Sequence, residues 1–130
     1  MLPHTEEALR LLRLARRDEA AFRALAAASG VDPAVALFHA QQAAEKALKA
    51  VMCRLGLEFR RTHDLEELAA QVADACVTPP VEEALLRRLT PYAVEYRYDD
   101  EPPKLLEPES AAAIVTALLD WAGEQLRDAS

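Results

Sequence analysis

The segment from Asp32 to Gly56 sets the strongest limit on what this chain can fold into. It opens on Asp32-Pro33, a side chain able to cap a helix followed by proline at the first helical position. It closes near Leu55 on Gly56, a residue suited to a left-handed cap. Between these marks Leu37, Gln41, Ala44, Leu48, Met52 and Leu55 fall on one face at the helical period. Ala40, Ala43, Ala47 and Ala50 coat much of the remainder, so neighbours can approach closely on several sides. This helix is expected at the centre of a bundle or of a dimer contact.

Punctuation elsewhere marks out about four more helices. The first is expected from Thr5 to about Ala28, ended by Ser29-Gly30. A third follows Thr62-His63-Asp64, where Thr62 or Asp64 can cap and Glu67 stands at capping-box spacing, and it reaches about Ala75. A fourth starts at Thr78-Pro79-Pro80 and carries Leu85, Leu86, Leu89 and Ala93, with Pro91 expected to kink or end it. Asp99 to Pro108, with three prolines, reads as a loop, and the last helix packs Val115, Leu118, Leu119, Ala122 and Leu126. Short connections favour antiparallel neighbours, hence an all-α, up-and-down four-helix bundle with an additional helix, in one domain over residues 1–130.

Composition closes off other classes. The 27 Ala and 20 Leu, against eight Val, one Ile and three Gly, argue against strands. The net charge of −7 argues against general coating of nucleic acid, although 12 of the 15 basic residues are Arg and a local patch can exist. No apolar run is long enough to span a bilayer, and Met1 to Arg17 is too charged for a signal peptide. Cys53 and Cys76 lack metal spacing and read as reduced core thiols of a cytoplasmic protein.

Polar residues interrupt the apolar faces. Asp18 and Glu19 lie on the stripe of Leu11, Leu12, Ala15, Phe22 and Ala26. Gln41 lies within the stripe of the second helix, flanked by Gln42, Glu45 and Lys49. An unpaired buried charge is expensive, so these groups are expected to pair or to line a cleft. Glu45 and Lys49 also have the spacing of an ordinary surface pair worth a few tenths of a kcal/mol. There is no Gly-rich phosphate loop, no Ser-His-Asp order, no pair of carboxylates in a catalytic context and no metal-ligand spacing.

Several stretches resemble the HEPN domain family. Leu14-Ala15-Arg16-Arg17-Asp18 is similar to its first-helix "A-x-x-D" pattern. The run from Phe38 through Gln41-Gln42-Ala43-Ala44-Glu45-Lys46-Ala47-Leu48-Lys49 to Ala50 is similar to its second-helix signature. Thr62-His63-Asp64-Leu65 and Leu68 resemble "T-H-D-L-x-x-L", and Tyr96-Arg97-Tyr98 resembles "x-R-Y-P". The resemblance implies a homodimeric helical bundle, commonly partnered by a minimal nucleotidyltransferase in toxin–antitoxin pairs. Other members are metal-independent ribonucleases marked by Arg, four to six residues, then His.

This chain departs from that mark. Its histidines are His4, His39 and His63, and none has an arginine at the required distance upstream. Proton transfer from a 2′-hydroxyl needs an acceptor, so the family's usual ribonuclease role lacks its base here. Tyr98-Asp99 also replaces the family's Tyr-Pro. The reading is therefore a non-catalytic, cytoplasmic HEPN partner of a nucleotidyltransferase, without cofactor or metal. Asp18, Gln42, Glu45, Lys49, Arg97 and Tyr98 form its candidate nucleotide site: Asp18 and Glu45 orient Lys49 and Arg97 toward phosphate, and Tyr98 stacks. The alternatives are a ribonuclease toxin whose acceptor is His63 or Tyr98, and a purely structural helical dimer.

Overall fold

A computed structural model describes residues 3–59, 61–94 and 106–127. These form α1 (Pro3–Ala27), α2 (Pro33–Arg54), α3 (Leu65–Asp74), α4 (Glu83–Leu89) and α5 (Pro108–Arg127), with a 3₁₀ turn over Thr90–Ala93 directly after α4. There is no strand among the described residues. The all-α architecture is the one expected, and α2 is its centre, packed against every other helix and most extensively against α1.

The caps explain where α2 and α3 begin. Asp32 is extended, and its carboxylate accepts from the Ala34 amide at 2.9 Å, satisfying a donor that no helical carbonyl can reach. Asp64, not Thr62, caps α3, accepting from the Glu66 and Glu67 amides. Thr62 instead accepts from the Asp64 amide. Pro91 ends α4 as expected: the helix stops at Leu89 and tightens into the 3₁₀ turn. The start of α4 lies three residues beyond the proline pair. A residue before proline is held extended, so the chain stays open through 78–82 while Val77 and Val81 pack partly against the core.

Helix α2 ends with the Leu57 amide bonded to the Met52 carbonyl and the Gly56 amide to that of Cys53. Gly56 has φ 74°, the left-handed position glycine takes without penalty. Helix α3 repeats this pair of bonds, Val77 to Val72 and Cys76 to Ala73, with Cys76 at φ 67°. Cys76 is thus an exposed turn residue in a conformation costing about 1 kcal/mol, not a core thiol. The apolar pattern around it belongs to α3, which has already ended. Cys53 is partly buried. Burial pushes its thiol pKa up, and the thiol donates to the His4 carbonyl.

The pairings fix direction. Cys53 meets His4, and His39 and Lys46 meet Asp18, so α1 and α2 are antiparallel. Arg23 donates to Thr116 at 2.9 Å and Arg16 lies against Gly123, so α1 and α5 are antiparallel as well. Leu37, Gln41, Ala44, Leu48 and Met52 are all fully buried, with Ala40, Ala43, Ala47 and Ala50. Trp121 belongs to the same core. The Tyr92 ring is buried too, and its hydroxyl accepts from the Leu106 amide at 2.9 Å, fixing the chain where it enters α5.

After α2 the chain runs back along the helix. His63 reaches residues 18 and 22 positions earlier in the sequence, and this return is what assembles the polar cluster on α2.

Candidate functional site

Glu45 lies on α2 and is 5% exposed. A carboxylate there must be fully supplied with donors or it would be severely destabilising. Lys49, one turn on, donates to Oε2 at 3.0 Å. His63 Nδ1 lies 2.7 Å from Oε1, which also accepts from Gln41 Nε2 at 3.2 Å. An ionised carboxylate only accepts, so the proton between Glu45 and His63 belongs to Nδ1, leaving Nε2 at the far edge of the ring. Gln41 donates again to the His63 carbonyl at 2.9 Å, clamping backbone and ring of one residue onto α2. Gln42 donates to Gln41 Oε1 at 2.8 Å, completing the chain of bonds.

The group is layered. The side chains of Glu45, Lys49 and His63 are 6%, 16% and 55% exposed, so the acid lies beneath and the imidazole outermost. The Lys49 ammonium also sits 5.3 Å from the Phe59 ring centroid, a cation–π contact that holds it in place.

A second group has the same composition. Asp18 of α1 accepts from Lys46 on one oxygen and lies 3.0 Å from His39 Nδ1 on the other. Again the acid is the least exposed member. The Phe38 ring meets the His39 ring edge-on at 5.1 Å between centroids. Lys46 and Lys49 are three residues apart, which places them side by side on α2.

The structure therefore brings Gln42, Glu45 and Lys49 together as the sequence implied. It also shows that Glu45 and Lys49 are not an ordinary surface pair, because the acid is buried. Asp18 does not orient Lys49: it holds Lys46 and His39, one step around the helix. Arg97 and Tyr98 lie outside the described residues. Sequence reasoning left His39 and Lys46 out of the site, although both stand within the second-helix signature. His63 enters from the sequence only as the acceptor of the alternative ribonuclease, because nothing local ties it to Glu45. Outside these clusters, Arg87 is held by Glu66 in a two-bond contact. No group of residues able to hold a metal ion occurs among the described residues. None of the described helices is long and apolar enough to cross a membrane.

A family model described as the HEPN domain matches residues 8–126. The chain belongs to this family. No similar curated protein and no similar solved structure was found.

Proposed function

We propose that this HEPN domain is a non-catalytic, cytoplasmic partner subunit of a minimal nucleotidyltransferase in a toxin–antitoxin-type module. In this reading it acts as a homodimer and binds a nucleotide phosphate at the Glu45 cluster. The supporting observation is the layering around Glu45. A buried acid holds an ammonium that keeps some access to solvent and an imidazole that is half-exposed. Such groups are already oriented, so an incoming phosphate meets donors without the loss of side-chain freedom that loose lysines would suffer. Gln42 offers a neutral contact beside them. Arg97 and Tyr98 stay in the proposal as a second cation and a stacking ring.

Titrating the purified protein with ATP tests the site. Lys49→Ala is expected to weaken binding about tenfold, the loss of roughly one charge-assisted contact. Arg87→Ala, whose guanidinium is engaged with Glu66, should leave it unchanged. No binding by the unaltered protein, or equal binding by Lys49→Ala, would overturn the reading. A stable complex with a co-expressed nucleotidyltransferase encoded beside it would support the partner assignment.

One observation favours a second reading. Glu45 orients His63 through Nδ1 as a buried acid orients a general base, with Nε2 at the opposite edge of a half-exposed ring. RNA cleavage in the presence of chelator that disappears in His63→Ala would favour a ribonuclease.

A further inference from the structure

Two carboxylate–imidazole–lysine groups lie side by side on α2, and the nucleotide reading above uses only one of them. Asp18, Lys46 and His39 repeat the chemistry of Glu45, Lys49 and His63, with each acid less exposed than its cation and ring, Glu45 buried and Asp18 partly so. The acids come from different helices, α1 and α2, and the imidazoles from different segments. The chain has thus arrived at the same arrangement twice by separate routes. Joining α1 to α2 would need only one ion pair. It would not call for the ring and the lysine to share one acid at both places, nor for both lysines to emerge on neighbouring positions.

We infer that the two groups form one continuous anion-binding strip for a nucleoside diphosphate or triphosphate, with Lys49 and Lys46 meeting successive phosphates. Residues 39 to 49 span about 15 Å of helix at 1.5 Å per residue, and Lys46 and Lys49 stand about 5–6 Å apart at Cβ. Adjacent phosphate groups of one ligand can bridge that spacing. Gln42 lies between, three residues after His39 and four before Lys46.

The strip's charge is set by its histidines. Its two carboxylates offset its two ammonium groups, so the net charge is zero with both rings neutral and +2 with both protonated. His39 is faced by Asp18 from α1, by Lys46 through that acid, and by the Phe38 ring. His63 is faced by Glu45 and, through it, Lys49. The neighbouring Asp64 carboxylate is occupied by the Glu66 and Glu67 amides. A polyphosphate on the outer faces is therefore attracted more strongly when the rings carry charge.

The inference rests on the nucleotide reading, and one experiment separates the two. AMP and ADP are titrated into the full chain at pH 6 and pH 8, bracketing the ordinary imidazole range. ADP should bind at least tenfold more tightly than AMP at pH 6. Lys46→Ala should reduce ADP affinity to the AMP level and leave AMP unchanged, with Lys46→Gln as a second variant that retains a donor to Asp18. The gain in ADP affinity from pH 8 to pH 6 should shrink in His39→Gln; the ligand's own protonation is common to both proteins and cancels in the comparison. Equal affinity for AMP and ADP, unaffected by either Lys46 variant, would overturn the strip and leave the Lys49 site standing. Absence of binding by both nucleotides would overturn the Lys49 site with it.

Discussion

Glu45→Ala is expected to destabilise the fold by about 3 kcal/mol, the low end of the cost of removing one partner from a buried ion pair. The side chain accepts three hydrogen bonds, from Lys49, His63 and Gln41. Its loss leaves Gln41, which is fully buried, one acceptor short. It also loosens the return segment after α2, since the His63 ring loses its anchor and the Gln41 bond to the His63 carbonyl is left to hold that residue. Lys49 and His63 keep some access to water, which limits the loss. Glu45→Gln, with an oxygen for His63 but no charge for Lys49, should lie between. Urea denaturation followed by circular dichroism measures both; a cost below about 1 kcal/mol for Glu45→Ala would mean that the cluster decorates the fold without holding it.

Phe22→Ala should cost about 3–5 kcal/mol, the transfer term plus the cavity left behind. Phe22 is 1% exposed and is the last fully buried residue of α1. Beyond it Ala24, Ala26 and Ala27 are exposed, and Leu25 alone packs partly on the core. Without the ring, the final turns of α1 have little apolar contact to keep them on α5. The Arg23–Thr116 bond, formed by an exposed side chain, cannot compensate. Amide exchange in residues 20–27 should accelerate more than in α2. Unchanged exchange there would show that α1 is held from its first half alone.

Much of the fold was legible in the sequence because its causes are local. The Asp32-Pro33 start, the Gly56 stop and the period of Leu37, Gln41, Ala44, Leu48 and Met52 each act within a few residues, and all hold in the structure. Cys76 was misread because an apolar pattern says which residues are buried while a helix lasts, not where it ends. The Glu45–Lys49 pair was legible for the same reason as the helix: its partners are one turn apart. The bonds from Asp18 to His39 and from Glu45 to His63 cross 21 and 18 residues. Only tertiary packing sets such separations, and no local spacing announces them. The family signature covers the stretch of α2 that carries both clusters, whose polar residues share one sector of that helix.

The chain has three histidines, and only two belong to the strip, so the rings themselves are the most direct reporters. His4 is exposed at the start of α1, where its carbonyl meets Cys53 and neither acid, and serves as the internal control. Histidine side-chain NMR during an ADP titration at pH 6 should show the His39 and His63 ring signals moving together to saturation while His4 stays fixed. Saturating ADP that leaves both rings unmoved would contradict the account: the two layered clusters would then be joints between helices and nothing more.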